Sequence, residues 1–449
     1  MQPFRKIKQG FAGLALADEL ALPQWRRRMA TVIGALLVGI VALSIAWLGD
    51  QSQRLFGLFY GKYPYLTLVL SPLLLVLFVG LTRKFAPGTR GSGIPQVIAA
   101  SHNPEGPAVE GMLGWRATIS KPLLTLGGLL VGASVGREGP TVQVAAALMV
   151  KVHRWLKVPI SAGVLIAGGA AGVSAAFNTP LAGIAFAIEE LAVAYEQRVA
   201  VLAMAAVMIA GLTSQGLAGE YLYFGHVGQG LPVLTVLVAA PLAGVLGGIF
   251  GGLFSRALIE LRAPGGRFFG LLGRHPVITT FVCGVLVSLA AFASEGLTWG
   301  TGYGPTKDLL MGASGAMWFG PLKFLATLAT SASGIPGGIF APSLAVGAGV
   351  GELLTPLFSP EYAGGIVLLG MAGYFTGVVR APLTAVIILA ETTGSSGTII
   401  ALFATALIAD WSASLVCKDR LYHVLAGDFL PPKPPEPVQE RERDAHRYD

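Results

Sequence analysis

Apolar runs recur along the chain near 31–48, 64–82, 114–135, 159–196, 199–216, 231–256, 276–293, 319–332, 343–357, 364–392 and 398–417. A plain membrane-crossing helix needs about 20 consecutive apolar residues. Several runs are shorter than that, or are broken by Gly and Pro. Residues 158–188 carry no charge, yet they are interrupted at Gly168-Gly169 and at Asn178-Thr179-Pro180. This pattern predicts helices that start and stop within a bilayer. Such breaks are tolerated only where the freed backbone is buried in protein or lines a cavity. The expected fold class is therefore all-α integral membrane, with tilted or broken helices.

A single register relates two halves of the chain. Lys121-x-Leu123-x-Thr125-Leu126 matches Lys323-x-Leu325-x-Thr327-Leu328, and Gly136 matches Gly338. Pro140 pairs with Pro342 and Pro180 with Pro382; 342 − 140 and 382 − 180 both give 202. Glu189 matches Glu391 at the same spacing. A register kept across charged and proline positions predicts an internal repeat. Repeated halves with broken helices are a transporter pattern, with the substrate site near mid-membrane. The expected organisation is an N-terminal cytoplasmic segment 1–30, a first repeat 31–216, a linker 217–231, a second repeat 232–427 and a disordered cytoplasmic tail 428–449. The tail is Pro-rich and then charged, a composition that cannot build a core.

Composition agrees with a lipid setting. Only 12% of the 449 residues are charged and 53% are hydrophobic, with a mean hydropathy of +0.68. Soluble chains carry roughly 25% charged residues. The 61 glycines sit inside apolar stretches, where small residues let membrane helices approach. The net charge of +7 collects at chain ends and loops and gives no nucleic-acid signal. Arg26, Arg27 and Arg28 flank the first span, and Arg83, Lys84 and Arg90 follow the second. That distribution predicts a cytoplasmic N-terminus. Cys283 and Cys417 form no disulfide framework, and the six histidines lack metal-ligand spacing. No phosphate loop, HExxH motif or nucleophile–base constellation points to an enzyme.

The chemistry concentrates at two helix starts. Gly136-Arg137-Glu138-Gly139-Pro140 and Gly338-Ile339-Phe340-Ala341-Pro342 each place a proline at the opening of an apolar run. Proline suits a first helical turn because its missing N–H has no intrahelical partner there. The neighbouring amides are unpaired and carry about half a positive charge from the helix dipole. Two such starts facing each other would hold an anion by partial charges, so that it can leave again. Gly91-Ser92-Gly93-Ile94-Pro95 is a third candidate, as an anion contact or as a helix cap. Glu138 is an intramembrane carboxylate and a functional candidate by default. It either competes for the anion position or is structural, as a helix cap or as a partner of Arg137. Glu189, Lys121 and Lys323 have counterparts in the other half and are expected to be structural. Glu138 faces Phe340 in the repeat register and Glu190 faces Thr392. These two acids break the symmetry and are the candidates for a proton route.

At these residues the chain resembles the CLC family of chloride channels and chloride/proton antiporters, over roughly 30–425. GSGIP (91–95), GREGP (136–140) and GIFAP (338–342) stand in the family's order. The resemblance implies about eighteen helices in two inverted halves and a homodimer with one pathway per subunit. It implies chloride contacts from the Ser92 hydroxyl, the Ile339 and Phe340 amides and the Tyr422 phenol. It also implies that Glu138 is the external gating glutamate and Glu190 the internal proton-transfer glutamate of antiporters. Chloride and protons would be the substrates and the lipid bilayer the surroundings, with no cofactor, metal or nucleic acid. Gln96 stands where many members carry Glu, and Ile98 where some antiporters have a second acid. Retention of Ser92 and Tyr422 favours chloride over fluoride or nitrate. The absence of room for cytoplasmic regulatory domains suggests a bacterial inner membrane. The expected function is secondary active chloride/proton antiport; the alternative is a passive voltage- or pH-gated chloride channel of the same fold. Residues 199–216 and 398–414, rich in small side chains, are candidates for packing against a second subunit or within one.

Overall fold

Proline sets many of the helix boundaries. It stands in the first turn of helices that begin at Pro64, Ile94, Pro107, Pro180, Pro276 and Pro382, where its fixed φ is already helical. The computed structural model describes residues 3–191, 197–219, 222–227, 230–262, 275–395 and 397–430. The first half comprises α1 (Pro3–Lys62), α2 (Pro64–Phe85), α3 (Ile94–His102), α4 (Pro107–Leu113), α5 (Trp115–Leu130), α6 (Glu138–Trp155), α7 (Ala162–Phe177), α8 (Pro180–Phe186) and α9 (Gln197–Ala218). The second comprises α10 (Val233–Arg262), α11 (Pro276–Ala293), α12 (Tyr303–Leu310), α13 (Phe319–Ser333), α14 (Phe340–Glu352), α15 (Ala363–Val379), α16 (Pro382–Thr393) and α17 (Ile399–Val416), followed by α18 (Leu421–Gly427). Among the described residues, eight spans are long and apolar enough to cross a membrane. Others, such as α7 and α16, are shorter apolar helices, as the broken runs predict.

The repeat is visible as contacts between matched positions. Gly136 and Gly338 form an isolated antiparallel bridge, each amide donating to the other's carbonyl at 2.7 Å. Residues 202 apart thus meet each other, as they must where an internal two-fold axis passes between them. Asn178 (φ 59°, ψ 39°) and Arg380 (φ 61°, ψ 37°) end α7 and α15 in the same left-handed conformation. Both helices then reverse into the next proline-led helix.

The matched carboxylates close the same arrangement. Glu189 accepts hydrogen bonds from the Leu383 and Thr384 amides at 3.1 and 2.7 Å, at the start of α16. Glu391 accepts from Leu181 and Ala182 at 3.0 and 2.8 Å, at the start of α8. Each half caps a helix of the other, with the negative charge at the positive helix end. The matched lysines are likewise structural. Lys121 donates to the Thr89 and Gly91 carbonyls, and Lys323 to those of Thr298 and Gly300. Replacing Glu189 with alanine is expected to remove about 2 kcal/mol, the scale of hydrogen bonds to a charged group. Glu391→Ala should do the same. Thermal unfolding in detergent measures both; an unchanged midpoint would contradict the capping role.

The lysine contacts extend the repeat beyond its sequence register. Gly91-Ser92-Gly93 corresponds to Gly300-Thr301-Gly302, although 300 − 91 is 209 rather than 202. Both glycine pairs have positive φ: 70° and 111° in the first, 64° and 79° in the second. The extra seven residues in the first half equal the seven-residue helix α4. The corresponding connection from α12 to α13 contains no helix.

Glycine makes the tightest packing possible. A Cβ on Gly247 of α10 would lie 2.5 Å from the Gly373 carbonyl carbon and the Tyr374 nitrogen of α15. These backbones touch, and no flexible side chain is there to move aside.

The expected segment boundaries meet the helices unevenly. Helix α1 runs unbroken from Pro3 through Lys62, so residues 3–30 of the expected N-terminal segment share one helix with the start of the first repeat. Within 217–231, Phe224 and Val227 donate to the Thr392 and Thr393 carbonyls, which fastens that connection to α16. The proposed tail begins with Asp428, which pairs with Arg90 at 3.2 Å; its residues 431–449 lie outside the described residues.

The same contact defines a basic face. Two successive candidate spans, Gln24–Lys62 and Pro64–Phe85, are joined by Tyr63 alone; a chain that crosses twice returns to the side it left, which assigns Arg26–Arg28 and Arg83–Arg90 to one side. Arg90, paired with Asp428 and stacked over Phe429, brings α18 to that side.

Candidate ion site

The Gly136–Gly338 bridge brings the starts of α6 and α14 together. Among the described residues, the Ile339 and Phe340 amides have no backbone acceptor outside their own helix. They precede the first i→i−4 bond, which Ser343 makes to Ile339 at 2.9 Å. These are open donors at a positive helix end.

Glycine at position 139 admits Ser92 to this junction. A Cβ there would lie 2.5 Å from the Ser92 Oγ, 2.8 Å from the Ser92 carbonyl and 3.2 Å from the Gly338 Cα. The turn Gly91-Ser92-Gly93 is held in place by Lys121 on the Gly91 carbonyl and by the Gly337 amide, which donates to the same oxygen at 3.0 Å.

Tyr422 arrives from α18, which packs on α3. It is fully buried, with its ring centroid 6.0 Å from that of Phe340. Phe340 also contacts the rings of Phe177, Phe186 and Phe375, so an aromatic wall surrounds the polar atoms. The Ser92 and Tyr422 hydroxyls face each other. Neither has a partner that meets hydrogen-bond geometry among the described residues. Two buried donors left open beside unpaired amides are suited to accept an anion.

Glu138 is the first residue of α6 and 0% exposed. Its carboxylate lies over Gly136, where a Cβ would touch it and would stand 3.4 Å from the Ala341 nitrogen. It is directed at the amides of its own helix start and of Ala341, and neither oxygen completes a hydrogen bond. Of the structural readings the sequence left for Glu138, the geometry removes the pairing with Arg137; a helix-start cap and a competitor for the anion position both fit its place. Arg137 does not pair with it through a salt bridge. Its guanidinium turns to Asp50 at 2.6 Å and to the Ala46 carbonyl.

Glu190 lies in a five-residue π turn, Ala187–Leu191, that extends α8. Such turns re-aim side chains and cluster at functional positions. Here the turn sends Glu189 outward to cap α16 and Glu190 inward, to 1% exposure. His423 Nδ1 is 3.5 Å from Glu190 Oε1. The sequence had not singled out His423; its only signal was adjacency to Tyr422.

The two departures are accommodated in the packing. Gln96 donates to the Gly88 and Arg90 carbonyls at 3.2 and 2.8 Å, a role an ionised glutamate, which only accepts, cannot fill. Ile98 is buried in the main core. The second-half counterpart of Ser92 is closed: the Thr301 amide and hydroxyl both donate to Gln53 Oε1, at 2.8 and 2.9 Å. No metal-binding cluster of His, Cys, Asp or Glu occurs among the described residues.

The fold and site define a helical membrane protein of two inverted repeats with an anion-suited centre. The family described as Voltage gated chloride channel matches residues 74–414. The H(+)/Cl(-) exchange transporter ClcA of Yersinia pestis is 31% identical over 434 residues, spanning 90% of this chain and 87% of that protein. The ClcA of Salmonella paratyphi A is 30% identical over 435 residues, spanning 90% and 88%. A slow cyanobacterial Cl-/H+ antiporter superposes with a TM-score of 0.75 at 23% identity, covering 91% of this chain and 99% of that one. A CLC-type fluoride/proton antiporter superposes with a TM-score of 0.73 at 21% identity, covering 88% and 97%. The chain belongs to the voltage gated chloride channel family.

Proposed function

We propose that this protein exchanges chloride for protons across a membrane. The observation that carries the reading is the placement of Glu138. A buried carboxylate with no completed hydrogen bond lies against the open start of α14, beside the unpaired hydroxyls of Ser92 and Tyr422. An anion and this carboxylate compete for the same donors. Chloride binds the Ser92 and Tyr422 hydroxyls and the Ile339 and Phe340 amides. Ionised Glu138 occupies the adjoining position, and protonation releases it so that chloride can pass. Glu190 passes protons between the basic face and the centre.

Several features support this reading over a passive channel. A channel has no use for a second buried acid, and Glu190 has no counterpart in the repeat. The ClcA relatives are named as H(+)/Cl(-) exchange transporters. The basic face is assigned to the cytoplasm by its arginines and lysines, with both termini on that side, in a bacterial inner membrane. We also assign a homodimer with one pathway per subunit. Exposed apolar residues of α9 and α17, such as Val201, Leu212, Ile400 and Leu407, form its candidate interface; cross-linking between copies at these helices tests that assignment.

The exchange itself is tested in liposomes. With an outward chloride gradient and no initial pH gradient, chloride efflux should drive protons inward against the gradient that develops. Chloride efflux without proton movement would leave a passive channel.

A further inference from the structure

Glu190 must exchange its proton with solvent on the basic face if it acts as proposed, yet its side chain is 0% exposed. This inference rests on that reading of Glu190. Consecutive helical residues point about 100° apart, and α18 uses this to serve two surroundings. Tyr422 points into the aromatic wall at the ion site, while His423 keeps 40% of its side chain in solvent with Nδ1 3.5 Å from Glu190 Oε1.

Other ionisable groups around α18 are committed elsewhere. Glu189 turns its carboxylate to α16, and Arg420 reaches the Glu189 carbonyl at 3.4 Å. Arg90 pairs with Asp428. On α10, Arg262 donates to the Ser331 carbonyl. On α15, Arg380 pairs with Asp410. On α3, the His102 ring contacts the Ile98 carbonyl. Lys418 and Asp419 lie exposed on the loop ahead of α18. Among the described residues, His423 is the group that both is exposed to solvent and contacts the Glu190 carboxylate.

We propose that His423 is the proton port of Glu190. Water delivers a proton to Nε2 of the neutral imidazole, and the proton on Nδ1 passes to Glu190 Oε1. The N–H bond at Nδ1 breaks as the O–H bond forms, and the imidazole is left neutral with its proton on Nε2. Rotation of the exposed ring or the reverse sequence resets it. A histidine suits this task because both ring nitrogens exchange protons near neutral pH.

Full-length protein in liposomes tests the port by measuring proton and chloride fluxes together. His423→Ala should lower the ratio of proton to chloride flux at least about tenfold, a floor set below the roughly hundredfold or more that a positioned acid–base group typically contributes. Imidazole added on the basic face should restore much of that ratio, an effect that a merely structural role would not produce. If His423→Ala fails to reconstitute, the similarly sized His423→Gln provides the same reading. An unchanged ratio in the variant that reconstitutes overturns the port. Glu190→Gln separates the two claims. Lost coupling there with full coupling in the His423 variant refutes the port alone; retained coupling in Glu190→Gln refutes the role of Glu190 itself.

Discussion

Replacing Glu138 with glutamine is expected to abolish proton movement while chloride continues to cross. Glutamine keeps the size of the side chain and removes its charge and its exchangeable acid. The buried carboxylate now lies against the Ala341 amide without completing a hydrogen bond. Its hold on the site is therefore electrostatic, set by the helix end, and a neutral amide lacks that hold. Chloride should then occupy the vacated position more readily. Proton flux driven by chloride is the measurement, and the expected loss is complete within detection. Coupled flux that persists in Glu138→Gln would remove Glu138 from the proton path.

Gly139→Ala is expected to damage the site through shape alone. The added methyl would lie 2.5 Å from the Ser92 hydroxyl and 2.8 Å from the Ser92 carbonyl, with Gly338 on its other side at 3.2 Å. Two of these three contacts are backbone atoms, and the bridge between Gly136 and Gly338 fixes one of them. Ser92 must shift away from Tyr422, or the two helix starts must separate. Either movement disperses the proposed chloride donors. Calorimetric titration should show chloride affinity falling more than tenfold, or about 1.4 kcal/mol. Unchanged affinity in a folded variant would place the anion elsewhere.

The repeat was legible in sequence wherever the chemistry demanded the same residue in both halves. Prolines that open helices, lysines that hold turn carbonyls and glutamates that cap helix starts cannot be exchanged freely, so their spacing of 202 survived. The correspondence of Ser92 with Thr301 was not legible, because helix α4 moved the register by seven residues and the second turn reads Gly-Thr-Gly-Tyr. Symmetry marked Glu189 and Glu391 as structural, and they cap helices of each other's halves; the two acids it marked as proton-route candidates, Glu138 and Glu190, lie buried without completed hydrogen bonds. The sequence left Arg137 as a candidate partner of Glu138, whereas the fold turns that guanidinium to Asp50, 87 residues earlier in the chain. His423 could not be found by spacing, since its meeting with Glu190 depends on how α18 returns to the π turn after α8.

The central claim, that chloride and protons move as one coupled exchange, is tested most directly by reversal potential. Reconstituted protein is held with equal chloride on both sides and a tenfold proton gradient across the membrane. Coupled exchange predicts a reversal potential displaced from zero by the proton gradient, with the displacement vanishing in Glu138→Gln. A potential that stays at zero under the proton gradient would contradict exchange and leave a passive chloride pathway.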